Sequence, residues 1–375
     1  MKILIVTTIS NTIGAFLIPH IDLLVSKGFK VDLACRIEKE IGELVTDRVQ
    51  NIFDIPFTRK PFSKSNLIAY KKIKSIIEKN DYDIIHVHTP VASAITRLAN
   101  FKYKRPVLYT AHGFHFHKKS SLVNWILYYP IEKLLSRKTY AIITINSEDF
   151  LLSKNKLKAK KLYYIKGVGV NIEAIRSNVN QNYNFDFKFS DQNFNIISVG
   201  ELNTNKNHSI ILDALHILND KHINYYICGD GSQKDSLKSK ADDLGLSDQV
   251  HFLGFRTDVL QIVDKMDIFV FPSKREGLSV ALMEAMVLQL PVICSNIRGN
   301  NDLIVNDKGG YLIDNNDAEG YSNAINILKN NTELRKSFGN YNSLRIQDYD
   351  LELVLKDLYV IYDEMVSANE STIRN

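Results

Sequence analysis

Cysteine is scarce: the 375 residues hold three, Cys35, Cys228 and Cys294, far apart and each in or beside an apolar run. That spacing makes neither a disulfide framework nor a metal site, and it fits a reducing compartment. Long hydrophobic runs are absent too. None approaches the roughly 18 residues needed to cross a bilayer. The apolar start Met1–Val6 has no small-residue cleavage site, and Asn11 and Gly14 interrupt it, so it reads as a buried strand and not as a secretory leader. No stretch has the composition of a disordered segment. The G-x-G of Cys228-Gly229-Asp230-Gly231-Ser232 lacks the third glycine of a dinucleotide-binding turn.

The chain is too long for one ordinary core, and two domains of somewhat under 200 residues are expected. A net charge of +5 conceals a split. Residues 1–190 carry 30 lysines and arginines against 15 aspartates and glutamates, whereas residues 191–375 carry 17 against 27. The N-terminal half therefore suits an anionic surface or substrate, or simply has a lysine-rich solvated face.

Short apolar runs alternate with amphipathic ones. Lys2–Thr7, Val31–Cys35, Ile52–Ile55, Ile84–Val87, Val107–Thr110 and Ala141–Ile145 read as strands, and Ile13–Lys27 and Leu67–Lys79 have helical spacing. The pattern lapses over the Asn-rich stretch near Asn178–Asn184 and restarts with strands at Phe194–Val199, Tyr225–Cys228, Val250–Phe252, Ile268–Phe271, Pro291–Cys294 and Tyr311–Ile313. Helices are expected to begin near His208, Gln233, Thr257, Ser279 and Ala318, with a last one over about Leu351–Val366. Strand–helix alternation with β-branched strands predicts an α/β protein of two Rossmann-like, doubly wound parallel-sheet domains facing a central cleft. The expected boundaries are 1–175, a linker over 176–193, a second domain over 194–347, and a C-terminal helical segment over 348–375 packing back across the domain junction.

The strongest chemical signal is Phe271-Pro272-Ser273-Lys274-Arg275-Glu276-Gly277-Leu278-Ser279-Val280-Ala281-Leu282-Met283-Glu284. A strand ends at Phe271 and a helix opens near Ser279, a suitable cap. Helix starts present unpaired N–H groups and a positive dipole end, and Gly277 leaves room for an anion. Glu284 is placed to accept from ribose hydroxyls, and Glu276 to face a sugar beyond the phosphate. Val199-Gly200-Glu201-Leu202-Asn203-Thr204-Asn205-Lys206-Asn207 adds a phosphate-suited loop with Lys206. Phe252-Leu253-Gly254-Phe255-Arg256 ends another strand and suits a base pocket. All these loops fall on one edge of a parallel sheet.

This set resembles the donor half of the family 4 retaining glycosyltransferases of the GT-B fold, most like the bacterial capsule, exopolysaccharide and O-antigen members. The family's E-x7-E motif matches Glu276 and Glu284. Its G-R-L-x-x-x-K-G loop matches Gly200, Leu202 and Lys206, with Glu201 in place of the arginine and Asn207 in place of the last glycine. Arg256, Lys274 and Arg275 are candidates to replace the missing cation. Asp83–Pro90, Tyr109–Gly113 and Ile165–Asn171 look like further signatures of the family.

The resemblance implies a retaining hexosyl- or N-acetylhexosaminyltransferase. The donor, a nucleotide sugar that is mostly UDP-linked in the family, would bind residues 194–347. Backbone at Gly277, Leu278 and Ser279 with Lys206 would hold the diphosphate, Glu284 the ribose, and Glu276 and His112 the sugar. A lipid-linked sugar acceptor would occupy residues 1–175. Relatives often have two glycines in the first loop, where this chain has only Gly14.

Competing readings follow from the same residues. His86, His88, His112, His115 and His117 invite a zinc site, but no carboxylate or cysteine joins them in sequence. Asp81-Tyr82-Asp83 precedes its strand instead of following it, and Asp348-Tyr349-Asp350 is no better placed. No cofactor and no essential metal are therefore expected. Residues 122–138 combine Trp125, Tyr128 and Tyr129 with flanking Lys118, Lys119, Arg137 and Lys138, which suits either a buried helix or the anionic inner face of a cell membrane. That placement, peripheral and cytoplasmic, agrees with the cysteine usage. A glycoside hydrolase would need Glu276 and Glu284 about 5 Å apart across the sugar bond and would leave the phosphate loops without a role. A non-catalytic partner subunit is permitted by Glu201 and opposed by the two retained glutamates. No motif supports nucleic-acid binding.

Overall fold

Apolar β-branched runs flanked by helices pair as parallel strands buried on both faces. The computed structural model describes residues 1–39, 41–60, 63–179, 183, 185–187, 189–190 and 192–373. Its strands are β1 (Lys2–Ile9), β2 (Lys30–Arg36), β3 (Asn51–Asp54), β4 (Ile84–His88), β5 (Val107–Ala111), β6 (Ala141–Thr144), β7 (Lys161–Tyr164), β8 (Phe194–Val199), β9 (Ile223–Cys228), β10 (Val250–Gly254), β11 (Ile268–Phe271), β12 (Val292–Ser295) and β13 (Gly310–Ile313). One sheet runs β3-β2-β1-β4-β5-β6-β7 and the other β10-β9-β8-β11-β12-β13. Every pair is parallel. Both orders reverse beside their first strand, as in doubly wound Rossmann sheets, and the crevice beyond the strands' carboxyl ends is where such sheets bind ligands.

The chain divides into unit 1, Met1–Gly169 with Glu352–Asn375, and unit 2, Val170–Leu351. In unit 1 the sheet core gathers Leu4, Val6, Ile85, Val87, Tyr109 and Ile142, all buried. The C-terminal helix Leu351–Ile373 supplies Leu358, Tyr362 and Met365 to the interior. In unit 2 the two faces of the sheet bury separate clusters, one around Phe269, Phe271 and Met286, the other around Ile196, Tyr225 and Val270.

Three expectations are corrected in detail. The single helix over Ile13–Lys27 is a short turn at Ser10–Thr12, a π-helix over Ile13–Leu17 and an α-helix over Ile18–Ser26. Pro19 explains the break: it has no N–H to donate and its ring would clash with the carbonyl one α-turn earlier, so the wider turn relieves it. Strand β7 was not expected, because Lys161–Tyr164 lies at the sheet edge with its first residue exposed and so lacks an apolar run. The C-terminal helix extends beyond Val366 to Ile373. The expected linker falls partly on residues 180–182, 184, 188 and 191, outside the described residues. Within its described part, Phe185 and Phe187 pack on Phe189 at 4.9 and 4.8 Å, and Phe189 on Tyr226 at 5.6 Å.

Unit 1 also buries a histidine group. His86 sits between the Tyr362 hydroxyl (2.5 Å) and Thr110 Oγ1 (2.8 Å), and His88 Nδ1 lies 3.0 Å from His112 Nε2. Burial pushes His20 and His112 down to about 4, and His86 and His88 well below their ordinary value. The rings are neutral when folded, whereas an unfolded histidine takes up a proton near 6.5. Below that pH the unfolded chain binds more protons, so the stability this burial contributes is complete above about pH 6.5 and is lost progressively as pH falls toward 4. Urea midpoints should therefore fall between pH 7 and pH 5, each ring adding a slope of up to about 1.4 kcal/mol per pH unit. A level midpoint across that range would contradict neutral burial.

Candidate active site

Five loops of unit 2 leave the carboxyl ends of β8 to β12, and backbone hydrogen bonds lace them together. Gly200 N–H donates to Cys228 O (2.9 Å), Gly229 N–H to Gly254 O (2.7 Å) and Leu202 N–H to Asp230 O (2.9 Å). Lys274 N–H donates to Asn205 O (2.7 Å), and the Asn205 side chain to Arg275 O (3.0 Å). The G-x-G of the second loop finds its reason here: a Cβ on Gly229 would stand 1.9 Å from Gly200 O. That glycine serves loop-to-loop approach.

Lys206 and Glu276 meet across this edge. Lys206 Nζ lies 2.8 Å from Glu276 Oε1 and 4.6 Å from the Phe271 ring centroid, with both side chains largely shielded from solvent. Asn207, in the place of a family glycine, adopts φ +58°, a left-handed conformation that asparagine tolerates better than most residues. Its side chain donates to Asn315 O at 2.8 Å and to Pro272 O at 3.3 Å, tying the Lys206 loop to the Glu276 loop.

The helix after this loop is Val280–Val287, and Ser279 caps it, accepting from Leu282 N–H at 3.4 Å. Gly277 and Leu278 stand just ahead of the cap. Glu284 lies one turn into the helix, and burial pushes its carboxyl up to about 7. Arg298, which sequence reasoning missed, is buried and donates from Nε to the Glu276 carbonyl at 3.3 Å. Its neighbour Gly299 has φ +80°, and a Cβ there would lie 2.2 Å from Gly277 O. The loop after β12 therefore braces the glutamate loop from behind. The only sequence signal for it was an arginine and a glycine at the end of an apolar strand.

Not every predicted residue joins this cluster. Arg256 is held by Asp258, at 2.7 and 2.6 Å, and forks onto both Asp186 oxygens at 2.9 Å, beside the Phe187 ring. Gly254 accepts from Gly229, and Phe255 is strongly exposed. Lys274 and Arg275 are exposed.

In unit 1, His112 stacks on His88 at the carboxyl ends of β4 and β5. Gly14 lies in the π-turn with nothing within 4 Å of a built Cβ. Thr89, also missed, holds φ +64° ahead of Pro90 and bonds Thr8 N–H (3.1 Å) and Thr8 Oγ1 (2.6 Å), so a strained residue ties the first loop to β4. Among the described residues no three His, Cys, Asp or Glu side chains are grouped to hold a metal ion.

Two glycine substitutions separate packing from open space. Gly299→Ala should destabilise the protein by about 1–3 kcal/mol, because it meets both strain and backbone overlap. Gly14→Ala should change the thermal midpoint little. Equal midpoints for the two variants would refute the bracing contact.

Residues 2–146 match the family described as glycosyl transferase 4-like, and residues 179–345 the family described as glycosyl transferases group 1. EpsD of Bacillus subtilis (strain 168), a protein that carries the glycosyltransferase name, is 33% identical over 99% of each chain. An Escherichia coli enzyme named UDP-Gal:alpha-D-GlcNAc-diphosphoundecaprenol alpha-1,3-galactosyltransferase is 26% identical over 90% of this chain and 91% of its own. Among solved structures, Anabaena Alr3699/HepE in complex with UDP and glucose superposes with a TM-score of 0.78 at 19% identity, covering 97% of this chain and 100% of that one. The laced strand-end loops, the two glutamates at the capped helix and these matches together make the chain a glycosyltransferase of the GT-B fold, a member of family 4.

Proposed function

We propose that this enzyme transfers a hexose or N-acetylhexosamine from a UDP-linked donor to a lipid-linked sugar, with retention at the anomeric carbon, in the synthesis of a bacterial surface polysaccharide. The observation that carries the donor half is the Lys206–Glu276 pair beside the capped helix start. A diphosphate arriving there meets the Lys206 ammonium and the N–H groups of Gly277, Leu278 and Ser279. Lys206 would exchange its carboxylate for the phosphate, freeing Glu276 to accept from sugar hydroxyls. That exchange places positive charge where the leaving diphosphate gains negative charge. Glu284 would accept from ribose, and Arg298 would position the glutamate loop through its carbonyl. His112, neutral in its buried setting, fits the sugar-contacting role that the resemblance implies. The relatives' names support the donor and the acceptor: one is a UDP-galactose enzyme acting on a diphosphoundecaprenol-linked sugar, and another is the capsular polysaccharide biosynthesis glycosyltransferase CapM of Staphylococcus aureus.

The reading extends to place. Among the described residues no helix is long and apolar enough to cross a membrane. The helix Leu122–Ser136 nevertheless exposes Leu122 (79%), Ile126 (75%) and Leu134 (62%), with Lys118, Lys119, Arg137 and Lys138 at its ends. Apolar side chains framed by cations suit the boundary of an anionic bilayer. We assign this face to the inner leaflet of the cell membrane, with no metal required by the reaction.

Three outcomes test the proposal. Glu276→Ala should lower turnover by at least about a hundredfold, as loss of a residue acting on the reacting sugar does, while the protein still folds, with a somewhat lower melting midpoint because Lys206 loses its partner; wild-type turnover in that variant would remove Glu276 from its role. Activity measured as released UDP should persist in excess chelator, and its loss with recovery on Mg²⁺ would reverse the metal-free assignment. Because burial pushes the Glu284 carboxyl up to about 7, UDP-sugar affinity should rise as pH increases through 7 and the carboxylate forms, and Glu284→Gln should flatten that profile.

A further inference from the structure

Unit 1 contains an apolar cavity of about 170 Å³ that the donor chemistry does not use. Val91, Ala94 and Leu98 of the helix Pro90–Ala99, Tyr128 and Ile131 of the helix Leu122–Ser136, and Tyr109 of β5 are among its walls. The one carboxylate in the lining, Glu132, is already neutralised: it forks onto the fully buried Arg97 at 2.6 and 2.9 Å, and that guanidinium lies 4.6 Å from the Tyr109 ring centroid. The cavity therefore offers a mainly apolar interior. A space of this size with apolar walls accepts a hydrocarbon of about benzene's bulk, which is the bulk of one isoprene unit. Leu98 and Ile131 line the cavity while remaining partly exposed, so it is continuous with the apolar face of the second helix. Exposed Lys118 and Lys119 lie in the segment that leaves the carboxyl end of β5 and leads into the second helix, at the edge that also carries His112, and they match a diphosphate in charge.

We propose that this cavity is an isoprenoid site. It seats the isoprene unit next to the diphosphate of a polyprenyl-diphosphate-linked acceptor, and Lys118 and Lys119 attract that diphosphate. This deepens the acceptor reading given above and rests on it. Selection would then act on the lipid as well as on the sugar: a branched prenyl unit fills the cavity, and a bare sugar or sugar phosphate leaves it empty.

The protein carries its own reporter. Trp125 is the single tryptophan of the sequence, and its ring packs 5.6 Å from Phe116, a residue of the cavity wall. Farnesyl diphosphate, titrated below its micelle concentration, should give a saturable change in tryptophan emission. Inorganic pyrophosphate should give none, and lauryl phosphate should bind about tenfold more weakly. Ala94→Phe, which fills the cavity, should weaken farnesyl diphosphate at least about tenfold, and Leu98→Gln at the exposed rim should weaken it without threatening the fold. UDP binding, measured by calorimetry, should be unchanged in both variants. Absence of the emission change, an equal response to pyrophosphate or lauryl phosphate, or indifference to both substitutions would overturn the isoprenoid site while intact UDP binding leaves the donor reading standing. A farnesyl response in a protein that fails to bind UDP would sink the donor reading and uphold the cavity.

Discussion

A lysine and a glutamate held together at the edge of a parallel sheet set the terms for unit 2. Neither charge is well solvated, and each limits the electrostatic cost of the other. The pair survives because five loops fix its surroundings, four through backbone bonds such as Gly200 to Cys228, Leu202 to Asp230 and Lys274 to Asn205, and the fifth through the Arg298 side chain on the Glu276 carbonyl. A loosely held Lys206 would collapse onto any nearby carboxylate. A rigidly held one presents its charge at a fixed point of the sheet edge.

Much of this was legible in the sequence. The parallel sheets announced themselves through β-branched strands such as Ile268–Phe271 and Val107–Ala111, whose double burial demands uninterrupted apolarity. The helix after Phe271 was readable from Ser279, and the glutamates from their spacing. What escaped reading depended on partners distant in the chain. Arg298 looks like any surface arginine until β12 is seen beside β11. The lock of Arg256 between Asp258 and Asp186 needs a segment that reads as featureless polar linker, although Phe185, Phe187 and Phe189 alternate with period two and pack as an aromatic cluster. Asn207 stands where the family has a glycine, and its left-handed conformation makes it a conformational equivalent. The break inside Ile13–Lys27 escaped because apolar spacing alone was followed there, and Pro19 does not disturb that spacing.

Unit 1 shows a different economy. His86, His88 and His112 would serve a metal if carboxylates joined them, yet they find partners in one another, in Thr110 and in Tyr362. The cost is a dependence on neutrality. The strained Thr89 lies at the same sheet edge, where it exchanges backbone comfort for a fixed first loop. Strain and buried titratable groups collect at the carboxyl ends of the strands, where doubly wound sheets place their chemistry.

The chain leaves unit 1 at Gly169 and re-enters it at Glu352. Those two passages run side by side: Val170 N–H donates to Tyr349 O at 3.1 Å, and Leu351 N–H to Val170 O at 3.0 Å. Unit 2 is thus an insertion with adjoining ends, a cassette that evolution or an engineer can exchange whole. A gene encoding residues 170–351 of a relative can replace unit 2 whole and leave unit 1, including its C-terminal helix, in one piece.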